Sequence, residues 1–504
     1  MCAHQNTPMR RAPRELPRTH VSMTQTPAQL TFTDEQQNIL DAFAAGRRLS
    51  IEACAGSGKT TILRTMAERS GHPGLYLAYN RHVAKDARGV FPTTTRVATA
   101  NSLAYHALGV PSRDRIAGRL PDAKTRKSCW GAIPYSDGEV RLSSWQTMHL
   151  GLRTVQAFCQ SNRESITAQD VAYPELMVLD VQQQERMAPL ILSIAGQIWS
   201  SAQQSDAATP VTHDQIMKMW AMSHPKFDQD FILFDEAQDA NPVLVGVIAE
   251  QTDTQVVTVG DSAQQLYGWR GAVDALDSFS GDHLPMTVSF RFGQAIADEA
   301  NYWLTRLGDS RTITGMRPKS SVWLDHHSHR TPNVVICRTN ARMIEEMLKM
   351  QDQGICVGIV GESKTEGMMK VARVAEDLLE RHFTSNADFA QFQSWEQVIE
   401  FSEQPECPME LRGQVAIVDS YGSDRIRAAL DAAAAQEDAD VVVTTCHQAK
   451  GREWRHVRLA SDFTDMLDAN RKEGLPPEEA MVNYVAVTRA KRHLDAMAVA
   501  DGRA

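Results

Sequence analysis

No two cysteines in this chain stand at the CxxC spacing, and its eight cysteines are scattered from position 2 to position 446. That excludes a zinc ribbon or finger and a dense disulfide framework, and leaves a reducing intracellular compartment as the simplest setting. No apolar run approaches the roughly 18 residues needed to cross a bilayer. The first thirty residues also lack the apolar stretch of a secretory signal. Basic charge is not in excess: 52 Lys and Arg against 62 Asp and Glu give a formal net charge of −10. Such a chain does not coat a polyanion or an anionic membrane by bulk charge, although a local basic groove is compatible with it. No repeat of fixed period is present. With 42% apolar and 23% charged residues the composition is globular, which excludes wholesale disorder and collagen-like sequence. At roughly 100–200 residues per domain, 504 residues suggest about three to four folding units.

Residues 1–30, with Arg10, Arg11, Arg14 and Arg18 set among Pro13 and Pro17, read as a disordered basic tail. Organised sequence starts near Phe32. A short strand at 49–52 runs into Ala53-Cys54-Ala55-Gly56-Ser57-Gly58-Lys59-Thr60, after which Ile62, Leu63, Met66 and Ala67 recur at helical spacing. A second strand is expected at 75–79. Residues 106–215 carry helical patterning and few strand-like runs, and suggest a helical insertion. Phe231-Ile232-Leu233-Phe234 is continuously apolar and ends abruptly in acid, the pattern of a central strand buried on both faces. Residues 255–259 repeat it before Gly260-Asp261. Further strands are expected at 333–337, 355–360, 440–444 and 456–460, and a last one near 494–499. A second helical interruption at 362–438 includes the alanine-rich stretch 428–435. The economical description is two α/β units, each carrying one insertion. The first is 31–105 with 216–288, interrupted by 106–215; the second is 289–361 with 439–504, interrupted by 362–438.

A Gly-rich turn between strand and helix aims several backbone N–H groups at one anion, and the helix N-terminus adds positive potential. In that frame Ala55, Gly56, Ser57 and Gly58 cradle phosphate, Lys59 reaches the β- and γ-phosphates, and Thr60 ligates Mg²⁺. The first glycine of the strict pattern is Ala53 here. The partner is Asp235-Glu236-Ala237-Gln238-Asp239 at the end of the apolar run. Asp235 can hold Mg²⁺ through water, and Glu236 can orient or deprotonate an attacking water. Alone, that segment reads equally well as the acidic start of a helix; with a phosphate loop upstream on a separate strand, nucleotide hydrolysis is the better reading.

Further motifs follow in order: Asp34-Glu35-Gln36, Thr99-Ala100-Asn101-Ser102-Leu103-Ala104, the long run 260–271, Ser289-Phe290-Arg291-Phe292, the run 445–453, and Tyr484-Val485-Ala486-Val487-Thr488-Arg489-Ala490. From Phe32 to Leu494 the chain thereby resembles the superfamily-one helicases of the UvrD/Rep/PcrA type. The wordings Leu77-Ala78-Tyr79-Asn80, Thr212-His213-Asp214 and 289–293 lean toward the F-box DNA helicase branch, although no F-box is visible. Little sequence follows Ala490, so an appended nuclease is not expected.

The resemblance implies an α/β fold of two RecA-like parallel-sheet P-loop motor domains, each with a mainly helical insertion. It implies ATP and Mg²⁺ as cofactors, and ATP-driven 3′-to-5′ translocation on single-stranded DNA with unwinding at single-strand/duplex junctions, performed by a single chain without a membrane. It assigns Gln36 to the adenine, Phe290 to stacking on it, Glu453 to the ribose and Gln264 to sensing the γ-phosphate. Arg291 and Arg489 become arginine fingers. Both fingers belong to the second unit and Lys59 and Asp235 to the first, so ATP would draw the units together. Some relatives sandwich the base with an Arg directly after the loop Thr; Thr61 stands there, which leaves the second face of the sandwich open. Cys54 occupies a position where Gly is usual and reads as a small buried residue rather than a redox switch.

For DNA, the resemblance implies Tyr267 and Trp269 as base platforms directly after the sensor, with Arg270 beside them; such stacking is worth about 1–3 kcal/mol per base. Asn80, Thr99, Asn101, Thr445 and His447 are implied backbone contacts. A core aromatic at Tyr267 and a structural histidine at His447 are the competing readings. Two other functions fit the same motor: stripping recombinase filaments, and gating a nuclease or defence complex.

Overall fold

The computed structural model describes residues 31–78, 80–109, 130, 132–204, 211–266, 273–328, 330–360, 366–404, 406–469 and 475–500. The expected basic tail and Tyr267, Trp269 and Arg270 lie outside the described residues. Six short strands make a first parallel sheet: β1 (Leu49–Ala53), β2 (Gly74–Ala78), β3 (Thr95–Thr99), β4 (Phe231–Asp235), β5 (Gln255–Gly260) and β6 (Asp282–Met286), in the order β3-β2-β4-β5-β1-β6. Six more make a second: β7 (Ser321–Trp323), β8 (Val334–Cys337), β9 (Val357–Ile359), β10 (Val441–Thr445), β11 (Trp454–Leu459) and β12 (Ala490–Asp495), in the order β7-β12-β11-β8-β10-β9. Every pairing within both sheets is parallel. The chain therefore has the α/β architecture of two RecA-like sheets.

The strand sequences explain why both faces of the first sheet are covered. Side chains alternate across a strand, and here both sets are apolar. Tyr76, Phe231, Leu233 and Val257 pack with Ile39 and Phe43 of helix α1 (Asp34–Ala44) and with Ile62, Leu63 and Met66 of helix α2 (Lys59–Ser70). Leu75, Leu77, Ile232 and Phe234, one residue out of step, face the opposite core with Phe158, Ile194, Trp199 and Trp220. Those last residues come from helices Ser144–Cys159, Val181–Gln203 and His213–Ala221. The intervening helices thus supply one layer of the sheet's own core. The second sheet repeats the scheme: Val334, Ile336 and Val442 face one core, and Val335, Cys337, Val441 and Val443 face another, which they share with helices between Glu366 and Asp431.

Several elements depart from the sequence expectations. β3 and β6 lie outside the expected strands. Both are sheet edges and partly exposed, so neither carries a continuous apolar run, and Pro285 is tolerated in β6 because an edge strand need not donate on both sides. The last strand stops at Asp495, and Met497–Val499 forms a 3-10 turn. The alanine-rich stretch is helical only to Asp431; beyond it, Ala434 N–H donates to the Val357 carbonyl at the edge of the second sheet, 2.9 Å away.

The two sheets meet closely. Cys54, Ala55, Ala263 and Leu266 of the first unit are buried in one apolar cluster with Phe292, Ile296, Trp303, Tyr484 and Val485 of the second. Cys54 is fully buried and burial pushes its thiol well up, so it is a packing residue and not a reactive one. Among the described residues, no helix is long and apolar enough to cross a membrane.

Candidate nucleotide-hydrolysis site

The phosphate loop joins β1 to α2 at the C-terminal edge of the first sheet. Gly56 and Gly58 have φ of +76° and +88°, which L side chains rarely adopt. Space is also short: a Cβ on Gly56 would collide with the Arg291 Cβ and lie 2.8 Å from the Ser289 Oγ. Gly58 is the N-cap residue of helix α2 and gives it no side-chain cap, which suits its first-turn N–H groups to an anion. Thr60 is exposed at that end, and Thr61 is half-buried beside it.

The opening of the second unit is stitched onto this loop. Ser289 Oγ donates to the Ala55 carbonyl at 2.8 Å, and Phe290 N–H donates to the Gly56 carbonyl at 2.9 Å. Glu35 accepts from Thr287 N–H at 2.8 Å and from its hydroxyl at 2.7 Å. Gln36 closes a capping box on α1 and donates through Nε2 to the Ser57 carbonyl at 3.1 Å. A Cβ on Gly58 would meet Gln36 Nε2 at 3.3 Å and the Phe290 ring at 4.0 Å. The amide and the 39% exposed ring therefore flank the same side of the loop.

Across the loop sits the acidic pair. Asp235 ends β4, buried; its Oδ2 accepts from the Tyr76 hydroxyl at 2.6 Å and its Oδ1 from Glu236 N–H at 2.9 Å. Glu236 has φ of +55°, a strained conformation for a residue with a side chain, which turns its carboxylate toward Lys59. Lys59 Nζ lies 3.0 Å from Glu236 Oε1, and Gln238 Nε2 donates to Oε2 at 2.6 Å. Burial pushes the Asp235 carboxyl up and its charged neighbour Glu236 adds to this. Burial opposes the charge on Glu236 too, but Lys59 and Lys450 hold its carboxyl below the usual range. Burial likewise opposes the Lys59 ammonium, yet Glu236, Asp235 and Asp261 keep it protonated.

Two adjacent carboxylates sharing one lysine form a site that welcomes a second cation. The donors on offer, the Asp235 carboxylate and the Thr60 hydroxyl, are hard oxygens of the kind Mg²⁺ takes. Mg²⁺ commonly takes one or two such ligands together with phosphate and water.

Arg489 follows helix Pro477–Val487 and is 1% exposed. Its Nε donates to the Val485 carbonyl at 2.9 Å, and its Nη2 donates to Gln264 Oε1 at 2.9 Å. Burial, with Arg291 nearby, pushes its guanidinium down to about 10, so it stays charged at neutral pH. Arg291 donates to Glu453 Oε2 at 2.8 Å and to the Thr488 carbonyl at 3.1 Å. The expected residues Gln36, Lys59, Asp235, Glu236, Gln264, Phe290, Arg291, Glu453 and Arg489 thus converge on one cleft between the units.

Residues without an assignment in the sequence complete the cleft. Lys450 bonds Asp239 and donates to the Gln264 carbonyl at 2.6 Å. The Tyr484 hydroxyl donates to Asp261 Oδ2 at 2.9 Å and accepts from Ala55 N–H at 3.4 Å. Glu52, at the end of β1, accepts from Ser262 N–H and hydroxyl, each at 2.8 Å. Each lies inside or next to a quoted motif, but only the fold pairs them.

Burial and the neighbouring Asp261 push Glu52 up from 4.5 to about 7, against the pull of Arg311. A carboxyl whose pKa is raised on folding costs nothing at low pH, and the cost grows as pH rises through the folded value. Glu52→Gln is therefore expected to be more stable than the parent at pH 8.5, by about 1–3 kcal/mol after allowance for partial exposure, with the gap closing toward pH 5. Thermal melts at both pH values check this; a gap independent of pH contradicts it.

The implied DNA residues fall elsewhere. Asn80 follows β2 and caps the next helix, accepting from Val83 N–H at 2.9 Å. Thr99 ends β3 and caps the helix carrying Asn101, which is exposed. Since β2 and β3 pair side by side, both segments share one end of the C-terminal edge. Thr445 is buried at the end of β10, and His447 is half-buried after it. Tyr267, Trp269 and Arg270 follow Leu266 directly but lie outside the described residues.

Residues 36–270 match the AAA domain family and residues 396–499 match the UvrD-like helicase C-terminal domain, so that between them more than half of the chain is covered. These matches support a UvrD-like helicase. It is 27% identical to F-box DNA helicase protein 1 of Schizosaccharomyces pombe over 92% of its length, and 28% identical to F-box DNA helicase 1 of Gallus gallus over 93%. This UvrD-like chain spans 57% and 49% of those two proteins, about half of each. The solved structure of PRRSV helicase covers 91% of this chain and 54% of its own, at 11% identity and a TM-score of 0.32, a likeness too weak to bear on function.

Proposed function

We propose that this UvrD-like chain is an ATP-dependent DNA helicase that moves 3′ to 5′ on single-stranded DNA and opens duplex at junctions. The observation that carries the reading is the closed cleft, in which Lys59, Asp235 and Glu236 of the first unit face Arg291 and Arg489 of the second. Phosphoryl transfer needs positive charge on several sides of the γ-phosphate, and that arrangement supplies it only while the units are together.

Mg²⁺, held by Thr60 and Asp235, would neutralise phosphate charge. Lys59 Nζ pairs with Glu236 Oε1 at 3.0 Å. A phosphate that takes over the lysine would release Glu236 to face water, with Lys450 still holding its carboxyl down. Gln264 ties this chemistry to both units, with its own backbone in the first and Arg489 on its side chain. The segment after Gln264 leads straight to Tyr267 and Trp269, so a shift at the sensor would be passed to a base platform. Asn80, Thr99 and Asn101, together with Thr445 and His447, would hold the strand's backbone.

An overhang assay tests the polarity. Duplexes with 3′ tails are expected to be unwound and those with 5′ tails left intact; unwinding confined to 5′ tails sinks the assignment. The compact second insertion, with four α-helices among its described residues between Glu366 and Asp431, favours a second reading, a motor that displaces recombinase filaments and unwinds poorly. Filament clearance measured beside unwinding separates the readings, and equal rates leave the second without support.

A further inference from the structure

Arg311 lies between the two matched segments and in none of the motifs above. It belongs to the second unit, after helix Gln294–Arg306, yet its guanidinium reaches into the first. Its side chain is 11% exposed. Nη1 lies 2.9 Å from Glu52 Oε1, and Nη2 lies 3.3 Å from Asp261 Oδ1. Nε donates to Asp309 Oδ1 and Oδ2 at 3.0 and 2.9 Å. One cation therefore serves three carboxylates, two of which belong to the other unit.

The important partner is Asp261, which is fully buried. Arg311 holds one of its oxygens. The other accepts from Gln264 Nε2 at 2.5 Å and from the Tyr484 hydroxyl at 2.9 Å. Gln264 Oε1 in turn accepts from Arg489 Nη2 at 2.9 Å. A continuous chain of polar contacts thus runs Arg311–Asp261–Gln264–Arg489, crossing from the second unit to the first and back.

We propose that Arg311 is a positioning residue for hydrolysis, which fixes the Asp261 carboxylate so that Gln264 and Arg489 stand aligned at the cleft when the units close. The proposal rests on the reading of the cleft as an ATPase. The chemistry requires arginine: its planar fork spans Glu52 and Asp261 at once, whereas a lysine ammonium is a single point. Without the fork, the buried Asp261 carboxylate loses the contact that fixes its orientation and turns toward another donor. The nearest such change repositions Gln264, and small displacements in a catalytic array cost about a hundredfold in rate.

The test is steady-state ATP hydrolysis with saturating single-stranded DNA, by the whole chain and by Arg311→Met, Arg311→Lys, Gln264→Ala and the Arg311→Met/Gln264→Ala double variant. Both Arg311 variants are expected to lose about 30- to 100-fold in kcat while KM for ATP moves less than about threefold. Arg311→Lys keeps the buried charge, so it reports on positioning even where Arg311→Met folds poorly. In the Gln264→Ala background, Arg311→Met should cost less than about threefold more, because the relay is already cut. Retention of kcat in Arg311→Lys, or losses that simply multiply in the double variant, overturns the positioning role and leaves the ATPase reading intact. No turnover in the parent chain overturns both.

Discussion

Lys59→Ala is expected to abolish ATP hydrolysis, with kcat down by at least about a thousandfold, while affinity for single-stranded DNA changes little. Two losses combine at this position. The phosphates lose the cation at the mouth of α2, and Glu236 loses its 3.0 Å partner. Burial then opposes the charge on Glu236 with Lys450 as its remaining lysine, so its carboxyl moves up toward the usual range. The implied DNA contacts Asn80, Thr99 and Asn101 sit at the β2–β3 end of the sheet, after strands other than the one that leads into the lysine. Turnover measured with and without DNA, beside a binding titration, checks both halves. A variant retaining a tenth of the parent rate shows that the phosphate loop is misassigned.

Arg489→Ala has the next largest expected effect, a loss of about 10³- to 10⁵-fold in kcat, the range that removal of an arginine finger produces. The fold gives Arg489 no freedom to be replaced. It is buried, fixed by the Val485 carbonyl on one side and by Gln264 on the other. Arg489→Lys should be nearly as poor as alanine, since one ammonium cannot keep both bonds and present charge to a phosphate. Arg291 is held differently, by Glu453 and the Thr488 carbonyl, and the two should not combine additively. Single-turnover hydrolysis separates these effects from binding; a rate within tenfold of the parent for Arg489→Ala contradicts the finger role.

How much was legible in the sequence follows from what each feature depends on. β4 and β5 are central strands, so both their faces are apolar and the run of Phe231 to Phe234 announces itself. The phosphate loop is local, a glycine pattern set by backbone angles. β3 and β6 are edges with mixed composition, and only their neighbours make them strands. The same holds at the site. Lys59, Asp235 and the two arginines sit in recognisable wordings, but Arg311 is flanked by an ordinary Asp-Ser-Arg-Thr stretch. Its meaning comes from Glu52 and Asp261, hundreds and tens of residues away, which approach it only when the units pack. Tyr76 is similar: a strand tyrosine by sequence, and the donor to Asp235 by fold.

The net charge also changes its meaning. Asp235, Asp239 and Asp261 are buried at the cleft, each paired with a basic or hydroxyl partner, so part of the acidic balance belongs to the interior. A value of −10 for the whole chain therefore does not describe the field at the C-terminal edge where a strand would lie.

The central claim is that this cleft hydrolyses ATP in response to DNA, and ATP turnover by the isolated chain, with and without single-stranded DNA, tests it most directly. The expected result is slow basal hydrolysis that rises at least about tenfold with DNA and disappears in Lys59→Ala. No hydrolysis under either condition, or a rate indifferent to DNA, contradicts it.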